Sequence, residues 1–298
     1  MDWILALFMV WGSLNAAADE QARLDAIQRE AVASAEAALF QEQAEAVLKE
    51  EVALLPNATY PGDAVLIRSK TKGEFVWQNK TISLQPYANG FYAMLPVAID
   101  AKPGTYTILG QTLKIKAKTF DVDRLTVTKE QEQMRQDTQR IAKDQAKIDL
   151  ARSKSEPTFL YKEPFVIPVK GRLTTPYGYT RYVNGKFSGT HAALDLAAPT
   201  GTPIKAANAG KVVLADELYL TGNSIYIDHG MNLFSQYAHL SKLLVKTGDE
   251  VKAGDIIGEV GSTGFSTGPH LHFTFWVGNN PVNPNLFFDT VPFRWKGE

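Results

Sequence analysis

All five histidines of the chain lie in its second half: His191, His229, His239, His270 and His272. Histidine is the commonest zinc ligand and an acid–base group near neutral pH, so this concentration points to chemistry in one region. His270-Leu271-His272 opens a run that continues Phe273-Thr274-Phe275-Trp276-Val277. As a strand of period two it turns Leu271, Phe273, Phe275 and Val277 to one face. Both histidines, Thr274 and Trp276 take the other. Packing gains nothing from two imidazoles in such a run. His191 and Asp195 stand four residues apart and share a face on strand or helix alike; the surrounding pattern favours a strand. His239, in Gln236-Tyr237-Ala238-His239-Leu240, sits near the end of another strand. Two histidines and a carboxylate, with a fourth position open to water, form the ligand set of catalytic zinc. Such an ion lowers the pKa of bound water and polarises a carbonyl. His191, Asp195, His239, His270 and His272 are enough for three ligands and two acid–base groups. Spacing alone leaves open which side chain does which. His229, in the Asp-His-Gly turn, reads as structural.

The elements that must carry these residues are short strands. From Leu173 onward the pattern is strand and loop with frequent Gly and Pro, and leaves no room for βαβ crossovers. Residues 158–298 are expected to form an all-antiparallel β domain with enough length for its own core. Upstream, 55–128 holds β-rich runs separated by Pro61-Gly62-Asp63, Asn89-Gly90 and Pro103-Gly104, which predicts a small Ig-like β-sandwich. Between them, 129–157 is polar and helix-favouring, with Met134, Ile141 and Ile148 at sevenfold spacing, and reads as a charged linker helix packing one stripe on a neighbour. Residues 19–54 lack breakers after Ala18 and read as a helical leader. Trp3 to Trp11 is a short apolar run followed by Asn15-Ala16-Ala17-Ala18-Asp19, which predicts a secretory signal over 1–18, although Asp2 stands where Lys or Arg is usual. The run is too short for a bilayer span of about 20 apolar residues. The fold class is mainly β: N-terminal helix, sandwich, linker helix, C-terminal β domain.

Composition narrows the function. The chain has 298 residues, 45% apolar and 21% charged, with 31 basic against 32 acidic side chains. No global basic field exists to hold nucleic acid. The absence of cysteine excludes disulfides, thiolate catalysis and Cys-based zinc sites. The Gly-rich stretch Gly258–Gly268 lacks the order of a dinucleotide loop and leads into a strand, so it reads as a turn delivering His270.

The segments GTHAALDLAAPTGTPI, GNSIYIDHG, QYAHLS, V-x-x-G-D-x-V-x-x-G and GSTGFSTGPHLHF resemble the lysostaphin/LytM-type M23 zinc metallopeptidases over about 170–287. The β-rich 55–128 region is similar to the Ig-like module fused to such peptidases. The resemblance implies hydrolysis of peptide cross-links or bridges in bacterial peptidoglycan with one zinc ion. It implies His191, Asp195 and His272 as ligands and His239 and His270 as the catalytic pair. Ala193 stands where the family's signature has Gly. Tyr177-Gly178-Tyr179-Thr180-Arg181 and the loop Tyr182–Gly189 resemble a substrate-groove wall, where Asn223 is a further candidate. The resemblance implies export, to the periplasm or cell envelope or to the extracellular space, with the N-terminal half as a candidate surface for an envelope partner. A second class, an inactive M23-type module that binds wall and activates another hydrolase, is recognised by lost ligands. Here all five motif positions are filled.

Overall fold

The computed structural model describes residues 50–87 and 90–288. The chain divides into two units, 1–50 and 51–298, and the architecture below belongs to the second. The expected signal and nearly all of the helical leader lie outside the described residues. The leader's expected end does not hold as helix, because Val52–Leu55 is already a strand. All four residues pair in register with Leu66–Ser69, and Ala53 and Leu54 are buried there. Among the described residues, no helix is long and apolar enough to cross a membrane.

Nine strands make the N-terminal module: β1 (Val52–Leu55), β2 (Ala58–Thr59), β3 (Ala64–Ser69), β4 (Glu74–Trp77), β5 (Lys80–Ser83), β6 (Gln85–Tyr87), β7 (Gly90–Pro96), β8 (Gly104–Ile108) and β9 (Gln111–Ile115). One sheet runs β1-β3-β7-β6, a second β2-β9-β8, and β4 pairs with β5. Side chains from these sheets meet in one core: Leu54, Val65, Ile67, Phe75, Trp77, Leu95, Leu113 and Ile115 are all buried there. The Trp77 indole N–H donates to the Pro96 carbonyl at 2.8 Å, which satisfies its buried polar edge.

The next strand departs from the sequence reading. Residues 55–128 were expected to belong wholly to the sandwich, but β10 (Val122–Leu125) pairs in parallel with β12 (Thr180–Val183) of the C-terminal part. The reason is local. The Thr180 N–H donates to the Asp121 carbonyl and the Asn184 N–H to the Leu125 carbonyl, both within 2.9 Å. Arg181 and Asp123, opposite one another in register, form an ion pair. The linker is two helices rather than one. A short helix, Lys129–Met134, is closed by a capping box from Thr128 and Gln131, and a long helix, Thr138–Ala151, starts at the Asp137 cap. The long helix buries Ile148 against Leu218 and Tyr226, the one-sided packing expected of a polar helix.

The C-terminal part contains β11 (Arg172–Thr175), β12, β13 (Lys186–Thr190), β14 (Leu194–Ala197), β15 (Pro203–Lys205), β16 (Gly210–Leu218), β17 (Gly222–Asp228), β18 (Leu233–Leu240), β19 (Lys242–Leu243), β20 (Glu250–Val251), β21 (Ile256–Glu259), β22 (His270–Val277) and β23 (Asn280–Val282). Its main sheet runs β11-β14-β22-β18-β17-β16-β20, with β23 beside β22. Every pairing within this sheet is antiparallel. Leu271, Phe273, Phe275 and Val277 are buried on one face of β22, as the alternation requires.

Candidate metal centre and catalytic histidines

The sheet order puts β14, β22 and β18 side by side, so their residues at one end share a face. Asp195 on β14 pairs with His272 on β22, and His272 with Ala238 on β18. His191 reaches the same point by another route. On a straight strand, residues four apart are separated by about 13 Å, too far to share one ion. The expected single strand is therefore not what is found: β13 ends at Thr190, β14 begins at Leu194, and the bend between them brings His191 Nε2 to 3.0 Å from Asp195 Oδ1. Ala193 lies in that bend, fully buried and without a left-handed φ, so its methyl is accommodated where the signature has Gly.

Three acceptor atoms converge there. His272 Nδ1 is 2.9 Å from Asp195 Oδ1 and 3.4 Å from His191 Nε2. His191 Nδ1 faces the Pro176 carbonyl at 3.3 Å, and a carbonyl only accepts. Nδ1 is thereby the donor, and Nε2 faces a buried carboxylate oxygen. A cation seated among these three atoms would be held by all of them. The triangle's sides, 2.9 to 3.4 Å, match the ligand spacing of about 3.4 Å expected in a tetrahedral site with bonds near 2.0–2.1 Å. His191, Asp195 and His272 thus fit one zinc ion. Burial pushes the Asp195 carboxyl up, but the adjoining His191 and His272 imidazoles outweigh it and hold the group well below the usual carboxylate range. Burial also pushes His272 down.

His239 and His270 stand beside this triangle, ring centroids 4.9 Å apart. His239 Nδ1 donates to the Thr263 carbonyl and His270 Nδ1 to the Gly268 carbonyl, both at 2.8 Å. Each therefore turns Nε2 away from its carbonyl partner, and His270 Nε2 lies 3.7 Å from Asp195 Oδ1. His239 sits at a bulge, where Asn223 pairs with Leu240 but Ile225 with Tyr237, and its φ is +64°. Bulges next to sites re-aim a side chain in this way. Burial, then the neighbouring His272 and His270, lowers His239 to about 3, so it is neutral at pH 7.

The remaining candidates divide. His229 is fully buried, bonds Ala209 and Ser235, and belongs to neither ligand cluster found among the described residues. Asn223 bonds the Leu240 carbonyl, a turn role. Tyr177 faces away from any groove: its buried hydroxyl meets the carbonyls of Gly62 and Pro281. Arg181 reaches the site itself, 3.5 Å from Asp195 Oδ2. Its partner Asp123 carried no signal in the sequence, because only the parallel pairing of β10 brings it there.

Residues 189–284 match peptidase family M23. The matched segment is about a third of the chain. It is 40% identical over 131 residues to a metalloprotease of Buchnera aphidicola described as uncharacterized, covering 44% of this chain and 34% of that one. It is 45% identical over 119 residues to lysostaphin of Staphylococcus simulans, covering 39% and 24%. It is 46% identical over 94 residues to the peptidoglycan DD-endopeptidase ShyC of Vibrio cholerae, covering 32% and 22%. The chain therefore spans 22% to 34% of the length of these relatives. A crystal structure of a putative M23 peptidase from Pseudomonas aeruginosa superposes with a TM-score of 0.57 at 27% identity, covering 76% of this chain and 94% of that one. That share exceeds what 158–298 alone can supply, so the likeness takes in part of the N-terminal half as well.

Proposed function

We propose that the chain is a zinc-dependent endopeptidase that hydrolyses peptide cross-links or bridges of bacterial peptidoglycan. The observation that carries this reading is the convergence of His191 Nε2, Asp195 Oδ1 and His272 Nδ1 within 3.4 Å of one another, beside the imidazoles of His239 and His270. A zinc ion held by the three supplies Lewis-acid polarisation of a carbonyl and a lowered pKa for water. The rest falls to the protein. One of His239 and His270 accepts a proton from the attacking water as its oxygen bonds the scissile carbonyl carbon. The other, with a proton on Nε2, donates to the developing oxyanion. The abstracted proton then passes to the leaving amine as the carbon–nitrogen bond breaks. The carbonyls of Thr263 and Gly268 hold both rings with Nε2 turned to the site. The peptidoglycan substrate follows from ShyC and lysostaphin as relatives, and with it an exported location in the periplasm or envelope.

Digestion of defined peptidoglycans, with mass spectrometry of the products, tests the reading. Release of peptides cut at D-Ala–diaminopimelate links or within glycine bridges is expected. Intact cross-links after digestion with zinc-loaded protein would overturn it.

A further inference from the structure

The two oxygens of Asp195 face different neighbours. Oδ1 looks at His191, His272 and His270, at 3.0, 2.9 and 3.7 Å. Oδ2 faces the Arg181 guanidinium at 3.5 Å. Arg181 is itself anchored: its Nε and a terminal nitrogen both lie 2.8 Å from Asp123 Oδ2. Asp123 comes from β10, and neither residue falls within the family segment 189–284.

We propose that Arg181, anchored by Asp123, is a positioning residue that reserves Oδ2 and so fixes Asp195 as a one-oxygen donor. The inference rests on the zinc reading above. A carboxylate free at both oxygens can turn to grip an ion with both, which fills a position the substrate needs. The guanidinium suits this task because it is permanently charged and its planar fork engages two carboxylates at once. Asp123 balances its charge, so no net positive charge stands beside the cation. The side chains are 18% and 16% exposed, which leaves the pair less screened than a surface ion pair.

The chain around β10 is braced from the other side of the site. In the short helix, Gln131 donates to the Ser266 carbonyl, and Ser266 Oγ lies 3.3 Å from His270 Nδ1. Arg135 bonds Ser188 on β13. Residues 122–135 therefore support both banks of the site.

The test uses the full chain, stripped of metal and titrated with Co2+ in place of zinc. Four-coordinate cobalt absorbs visible light far more strongly than five-coordinate cobalt. Wild type should give an intense band, Arg181→Gln a weaker one as Oδ2 joins the ion, and Arg181→Lys an intermediate one. Zinc affinity by chelator competition should fall about tenfold in Asp123→Asn, the scale for losing a partner of a metal ligand. That variant leaves Arg181 unbalanced beside the ion and pulling on Asp195. Zinc-loaded Arg181→Gln should lose about tenfold in kcat with KM little changed. A wild type that binds neither ion would overturn the zinc reading and this proposal together. A wild type that binds zinc, with an Arg181→Gln cobalt band as intense as its own, overturns the proposal alone. Faster turnover in Asp123→Asn would also overturn it, because β10 would then restrain the site rather than support it.

Discussion

His239 holds a φ of +64°, a conformation the β-carbon of an L-residue disfavours, and the bulge in β18 is what imposes it. A purely structural residue at this bulge would be better served by Gly or Asn. The imidazole is there to reach the site, with Nδ1 tied to Thr263 and Nε2 open. We expect His239→Ala and His270→Ala to fold and retain zinc, yet to lose on the order of 10²-fold in kcat/KM on soluble muropeptides, the scale for losing an oxyanion donor. A near wild-type rate in either variant would remove that residue from the mechanism. Not every site residue was equally legible in the sequence. His270 and His272 were readable because strand periodicity is local and needs no partner. The pairing of His191 with Asp195 was readable as a spacing but not as a shape, since a bend rather than a strand face joins them. Arg181 was visible only as part of a groove wall. Its link to Asp123 depends on a pairing between segments 58 residues apart.

Among the elements, β16, β17 and β18 are joined at one end by His229. Its Nδ1 donates to the Ala209 carbonyl and its Nε2 accepts from the Ser235 hydroxyl, both at 2.7 Å. The ring has no solvent exposure, and burial pushes its pKa down to about 4. The unfolded chain takes up a proton on this residue below about pH 6.5, where the folded chain still refuses it. Stability therefore falls as pH drops from about 6.5 to about 4, and this contribution levels off below that. The full effect is about 3 kcal/mol for a shift of this size. Urea titrations on metal-free protein check it. Wild type should lose stability through that window more steeply than His229→Gln, which starts from lower stability at pH 7. Parallel slopes would show that His229 titrates normally. The element most poorly foreseen was β10. Its four residues, Val122–Leu125, have no apolar face strong enough to announce a strand, and their exposure alternates only partially. Their strand character comes from β12, a partner far along the chain.

Across the unit 51–298, the β-module and the C-terminal sheet are joined through specific contacts. Asn283 bonds Gly62 and Asp63. A chain of edge-to-face rings runs Tyr87, Phe159, Tyr161, Phe165, Phe275. Buried Arg152, at the end of the long helix, stacks 3.8 Å over Trp276 of β22. The sequence reading of 129–157 as a linker helix packing one stripe on a neighbour could not name the neighbour, since polarity and helix propensity carry no record of the surface a helix packs on. A fragment beginning at Thr158, expected from sequence to stand alone, gives up β10, Ile148 and the Tyr87 and Tyr92 partners of Phe159. We expect it to melt roughly 10 °C below the full chain, on the scale of a few kcal/mol for a domain of this size. Equal melting temperatures would make the linker dispensable for stability. Metal analysis of purified full chain, alongside Asp195→Ala and His270→Ala, tests the zinc site most directly. About one zinc per chain is expected in wild type and His270→Ala, and loss of it in Asp195→Ala. Equal zinc in wild type and Asp195→Ala would contradict it.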